Sequence, residues 1–201
     1  RGIDTEHIYR AKSFPTDKYM AVEGSNGLIG AIADTHTLER CEKYILSPLK
    51  NGKLYKLNEP WAGIIVLDGN LTENLLNKIN SDPLFRNVDL RIAPASPGKA
   101  ARLRTCLNGN VRTVYMNLEE ANLIVNQNFN ESCSAAIALL NAGFKRAVVT
   151  NGGNKVTVAE KDYQISITPP NVAVVRVTGA GDVFMASHIQ AELTGKQKET
   201  A

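Results

Sequence analysis

Gly63-Ile-Ile-Val-Leu-Asp-Gly-Asn-Leu-Thr-Glu-Asn-Leu-Leu-Asn-Lys-Ile-Asn80, followed shortly by Val88-Asp-Leu-Arg-Ile92, is the stretch from which the architecture can be read. Gly63–Leu67 is a compact apolar run of strand length, and Asp68-Gly-Asn70 stops it with turn-forming residues. Thr72 has the chemistry of a helix N-cap, and the leucine and isoleucine spacing after it predicts a helix from Glu73 to Asn80. Val88–Ile92 then predicts a second strand. Strand, helix, strand with apolar strands is the unit of a parallel sheet covered by helices.

Downstream the unit repeats. Pro94-Ala-Ser-Pro-Gly98 ends the second strand, and Lys99 to Leu107 reads as helical. Thr113–Met116 is a third strand, Asn117 a boundary, and Leu118–Val125 a helix. Asn130-Glu-Ser opens another helix through Ala142-Gly143, and Arg146–Thr150 is the next strand. Lys155–Ala159 and Gln164–Thr168 read as a β-meander closed by Pro169-Pro170. Val172–Val177 is expected as a last strand, and Gly179-Ala-Gly begins a helix from Asp182 to about Leu193.

Upstream the pattern changes. Ile8-Tyr-Arg10, Tyr19–Val22 and Leu28–Ile32 are short and β-prone, and Glu23-Gly-Ser-Asn-Gly27 suits a hairpin turn. A three-stranded antiparallel sheet is expected over residues 5–34, with an α/β core over residues 35–201. There is no internal repeat and no low-complexity segment.

Composition agrees with this class. The chain has 201 residues, 43% hydrophobic and 21% charged, with aromatics at 6%, so its core is built from aliphatic side chains. A net charge of +3 without basic blocks demands neither nucleic acid nor an anionic membrane. Cys41, Cys106 and Cys133 show no C-x-x-C spacing, so neither a disulfide framework nor a zinc site is indicated, and a reducing cytoplasm is the simplest setting. No apolar run reaches the ~20 residues that span a bilayer. The chain starts at Arg1 directly in patterned sequence and ends in a polar tail, so boundaries of an excerpt are expected at both ends.

Thr178-Gly-Ala-Gly-Asp182 carries the chemistry. A helix start leaves backbone N–H groups without intrahelical partners and its dipole favours an anion. Glycines let a phosphate approach those groups. A carboxylate placed there repels phosphate, so Asp182 makes sense as a base for an attacking hydroxyl. The bland alternative is a glycine-rich turn with Asp182 as a helix-start residue. Neither G-x-x-x-x-G-K-[ST] nor a complete G-x-G-x-x-G is present. Asn117 and Glu120, three apart at a helix start, share one face and also match a capping box.

Val177-Thr-Gly-Ala-Gly-Asp-Val-Phe184 resembles the C-terminal signature of the ribokinase-like (PfkB) carbohydrate kinases. Gly2-Ile-Asp-Thr5, Pro15-Thr16 with Tyr19, and Gly27–Asp34 resemble that family's lid strands. Within the family, Ile65–Leu71 and Pro94–Ala100 come closest to pseudouridine kinases. The resemblance implies a three-layer α/β sandwich with a mostly parallel sheet and a small β lid. It implies an ATP-dependent kinase that moves the γ-phosphate to a hydroxyl of a sugar or nucleoside. Gly179, Ala180 and Gly181 would form the anion hole and Asp182 the catalytic base. Asn117 and Glu120 would organise Mg²⁺. Thr150, Gly152 and Thr178 would contact ATP, with residues 170–174 as an adenine-side wall. Thr16 and Tyr19 on the lid, with Ser96 and Lys99, would lie on the substrate side, and lid strands would pair two subunits into a homodimer.

The chain departs from the family at two places. Arg176 stands where an acidic residue is usual, which puts a monovalent-cation site in doubt, and the Gly-Gly-Asn substrate motif and early Asp are missing. A catalytically inactive relative or fragment that binds nucleotide or a partner is the alternative reading. His7, His36 and His188 show no partner pattern and receive no role.

Overall fold

A computed structural model describes residues 2–24, 27–52, 54 and 61–196. Strands β1 (Tyr19–Gly24) and β2 (Gly27–Ala33) form a two-stranded antiparallel sheet with Met20 opposite Ile32 and Ala21 opposite Ala31. Ser25 and Asn26 of the expected hairpin turn lie outside the described residues. The third strand expected at Ile8–Arg10 is absent. The Ile8 N–H donates back to the Thr5 carbonyl at 3.2 Å, and Tyr9 stacks on Tyr44 with centroids 4.5 Å apart. That local turn and ring contact hold the segment away from a sheet edge.

Three short helices follow, α1 (His36–Arg40), α2 (Glu42–Ile45) and α3 (Ser47–Lys50). The core then runs β3 (Ile64–Asp68), α4 (Glu73–Ser81), β4 (Asp89–Ala93), α5 (Pro97–Ala100) and β5 (Val111–Asn117). It continues with α6 (Leu118–Val125), α7 (Ser132–Ala142), β6 (Arg146–Thr150), β7 (Val156–Glu160), β8 (Tyr163–Ile167) and α8 (Ala180–Leu193). Thr72 caps α4 as expected, its hydroxyl accepting from the Leu75 N–H at 3.2 Å. The helix expected from Lys99 starts earlier, at Pro97, whose fixed φ suits a first turn. It tightens to 3₁₀ geometry over Ala101–Cys106.

The six core strands lie in sequence order, parallel from β3 to β6 and antiparallel at β7 and β8. Side chains alternate between the two faces. Leu90, Ile92, Val114 and Val149 meet α4 to α7 in the larger core, with Leu76, Ile79, Leu103 and Leu139 fully buried against them. Tyr115, Val148 and Val158 point to the other face, where α8 lays Met185 and Ile189 on them. Helices therefore cover both faces of a mostly parallel sheet, as expected.

Val172–Val177 is not a strand. Val174 and Val175 are 73% and 97% exposed. The alternating valines have the propensity for a strand, but propensity is expressed only where a sheet edge accepts the backbone bonds. Pro169 and Pro170 donate none and break the ladder after β8.

Candidate active site

Parallel strands end together, so their carboxyl ends form one edge. Asp68 lies opposite Ala93 on β3 and β4, and Asn117 lies opposite Thr150 on β5 and β6. Each of the four is the last residue of its strand. The loop after β3 passes close over β4. The Gly69 N–H donates to the Ala93 carbonyl at 2.8 Å, and a Cβ on Gly69 would strike the Pro94 backbone.

At the end of β5 the capping box is complete. Asn117 Oδ1 accepts from the Glu120 N–H at 2.8 Å, and Glu120 Oε2 accepts from the Asn117 N–H at 2.9 Å. Glu120 is buried, and burial pushes its carboxyl above the ordinary glutamate range, only partly offset by the hydrogen bond from Asn117. The charges of Glu119 and Asp182 push it further in the same direction. The first turn of α8 thus lies within the electrostatic reach of the first turn of α6.

Gly179 is the residue before α8 and has φ +86°, a left-handed conformation that suits glycine. A Cβ at Gly179 or at Gly181 would meet no atom within 4 Å, so the space beside this turn is open. The first α-helical bond is Val183 N–H to Gly179 O at 3.0 Å, and Ala180 N–H donates to Val177 O at 3.1 Å. The amides of Gly181 and Asp182 precede that bond and remain available to an anion.

Thr150 Oγ1 donates to the Met116 carbonyl at 3.4 Å, and Gly152 holds the β6–β7 turn at φ +55°. A cavity of about 480 Å³ adjoins this turn at Asn151, bounded by Glu119, Asn122 and Asn126 of α6 and its end, but not by residues 179–182. Thr178 is half-buried next to Gly179. Ser96 precedes α5 and its side chain makes no capping bond. Lys99 Nζ donates to Asn70 Oδ1 at 2.5 Å and to Thr35 Oγ1 at 3.4 Å, tying the loop after β3 to the chain leaving β2. Thr16 and Tyr19 are exposed, and their side chains do not join the hydrogen bonds of this edge. Among the described residues no group of three or more His, Cys, Asp or Glu could hold a metal directly.

Sequence reasoning missed a buried polar cluster on the α8 face. Arg91 of β4 donates to Asp89 at 2.7 Å, to the Tyr115 hydroxyl at 3.1 Å, and to Glu192 of α8. Arg146 of β6 pairs with the other Glu192 oxygen at 2.6 Å, and the Tyr115 hydroxyl lies 2.9 Å from His188 Nδ1. The signal was Arg91 itself, a charge inside an apolar strand of a sheet that has helices on both faces.

The model for the pfkB family carbohydrate kinases matches residues 1–201. No curated protein matches the chain in sequence. In fold it is similar to a carbohydrate kinase from Agrobacterium tumefaciens, at 24% identity and a TM-score of 0.69, over 92% of this chain and 58% of that one. It is similar to ribokinase from Thermotoga maritima, at 18% identity and a TM-score of 0.71, over 92% and 59%. It is also similar to phosphofructokinase-2 from Escherichia coli, at 19% identity and a TM-score of 0.60, over 79% and 52%. The chain spans little more than half the length of these relatives. With its strand order, its glycine turn ahead of α8 and a family match over all 201 residues, the chain belongs to the pfkB family of carbohydrate kinases.

Proposed function

We propose that this chain carries the phosphoryl-transfer part of an ATP-dependent kinase acting on a hydroxyl of a sugar or nucleoside. The observation that carries the proposal is the open, glycine-lined turn at 179–182, whose Gly181 and Asp182 amides precede the first bond of α8 and which sets the Asp182 carboxylate in the first turn. The amides at Gly181 and Asp182, with the backbone of Gly179 and Ala180, receive the charge of the phosphoryl group. Asp182 accepts the proton of the acceptor hydroxyl as the new P–O bond forms and the bond to ADP breaks. A loose transition state makes this late proton transfer sufficient for a weak base.

Thr150, Gly152 and Thr178 line the nucleotide side, and residues 170–174 the adenine side. Magnesium fits beside Glu120 and Asn117. With no cluster of three direct ligands among the described residues, these side chains suit a hydrated ion held through its waters. When bound, it would neutralise charge on the phosphate oxygens. Residues 5–34 act as a lid over the core of 35–201, with Thr16 and Tyr19 above the acceptor and Ser96 and Lys99 below it. Met20, Val22 and Ile32 leave apolar surface exposed on the β1–β2 sheet, which supports pairing of two subunits there. Likeness at Ile65–Leu71 and Pro94–Ala100 favours pseudouridine as the first acceptor to try.

The test is ADP release by the complete gene product from MgATP, with pseudouridine, ribose, fructose and related acceptors. Turnover on one acceptor, lowered about 10²–10⁴-fold in Asp182→Asn, is the expected result. A folded protein that binds ATP but turns over no acceptor would favour a binding-only relative and overturn the proposal.

A further inference from the structure

The turn at 179–182 has no capping side chain, and the chain leading into it, 168–177, makes no strand. Its position is therefore set in part by how α8 is held further along. Of its 14 residues α8 buries Met185, His188 and Ile189. Met185 and Ile189 rest on Tyr115, Val148 and Val158, with Phe184 of the same helix packed beside them.

A second, polar anchor lies at the far end. Glu192 directs one carboxylate oxygen to Arg91 and the other to Arg146 at 2.6 Å. These arginines sit on β4 and β6, and both are in register with Thr113 on the intervening β5. The fork thus straddles three strands. Arg91 is fixed in turn by Asp89 and by the Tyr115 hydroxyl, which also meets His188. Both guanidinium groups are close to full burial, with side chains 7% and 10% exposed. Charge-assisted bonds in such surroundings are short and directional.

We propose that Glu192 is a positioning residue, which fixes the axis of α8 through its fork with Arg91 and Arg146 and so aims the Gly179–Asp182 turn at the carboxyl edge. The lever arms are equal. Glu192 and Asp182 each lie five residues from the midpoint of Met185 and Ile189, about 7.5 Å at the helical rise of about 1.5 Å per residue. A shift of about 1 Å at Glu192 becomes about 1 Å at Asp182, a displacement that can lower turnover about 100-fold. The effect falls on the aim of the turn and not on adenine-side contacts, so kcat drops while KM for ATP changes little.

The inference rests on reading the 179–182 turn as the phosphoryl-transfer site, so its test has a readout that needs no turnover. Glu192→Asp keeps the charge and shortens the reach by one methylene. The pair Arg146→Gln/Glu192→Gln removes one charge of each sign, keeping the cluster neutral if the first variant does not fold. Amide ¹H–¹⁵N shifts of Gly179, Gly181 and Asp182 are compared with wild type in the full chain without ligand. Where wild type turns over an acceptor, kcat and KM for ATP are measured below the unfolding range. Displaced turn amides with kcat lowered about 100-fold are expected. Shift changes confined to the last two turns of α8 would overturn the inference, whatever the turnover. A wild type with no turnover would remove the kinase reading and leave the amide shifts to decide the positioning.

Discussion

Glu120, on the first turn of α6, lies in the field of the Asp182 carboxylate on the first turn of α8. Burial raises the Glu120 pKa, and the negative charge of Asp182 raises it further. Removing that charge favours the ionised form of Glu120. Asp182→Asn is therefore expected to lower the titration midpoint of Glu120, followed by the side-chain carboxyl ¹³C shift. An unchanged midpoint would mean that the two helix starts are not neighbours in solution.

The two glycines of the turn are expected to respond in opposite ways. Gly179 has φ +86°, and an alanine there meets a left-handed penalty of about 1–2 kcal/mol, read as a lower Tm. Gly181 has helical backbone with open space around it, so Gly181→Ala should stabilise α8 by up to about 1 kcal/mol. Both methyl groups enter the space assigned to phosphate, so both variants should lose turnover. A Gly181→Ala variant with higher Tm and full activity would argue against an anion site at this turn.

Asn117 holds α6 through the completed capping box. Asn117→Ala removes the side-chain acceptor and is expected to destabilise the protein by about 0.5–2 kcal/mol in denaturant unfolding. Asn117→Asp retains the acceptor and should retain most of the stability. A change in magnesium dependence in Asn117→Asp, at a stability close to that of the parent, would separate the cap from a role toward metal.

The buried cluster predicts a stability profile. Arg91→Met leaves Asp89 and Glu192 without their shared partner in a buried site, a loss of about 3–5 kcal/mol. His188 has its pKa lowered from 6.5, chiefly by burial, with Arg146 and Arg91 adding to the shift and Glu192 opposing it. A base with a depressed folded pKa contributes stability that is present above its unfolded pKa and lost as pH falls toward the folded value. Denaturant midpoints should therefore decline as pH falls below 6.5. His188→Gln should flatten that limb, and an unchanged slope would contradict a neutral buried imidazole.

Local chemistry explains what was legible. Thr72 and Asn117 cap their helices wherever those helices pack, and the apolar run Gly63–Leu67 has the length and composition of a strand, so strand, helix and sheet class follow from short-range patterns. Val172–Val177 shows the limit of such patterns. Its valines have strand propensity, but no sheet edge receives them, and that is decided by the path of the chain after Pro169 and Pro170. Ile8–Arg10 is a similar case, turned by Thr5 and held by Tyr44 instead of joining β1.

The sequence by itself determined the α/β class, the caps, the glycine turn before α8 and the placement of Asn117, Thr150 and Asp182 at the ends of elements. Each of these depends on residues within a turn or two of one another. Tertiary structure alone decided that Glu192 meets Arg91, 101 residues away, and that Glu120 feels Asp182. Such pairs cannot be read from spacing, because they exist only once sheet order and helix docking bring distant charges together in a medium that excludes water.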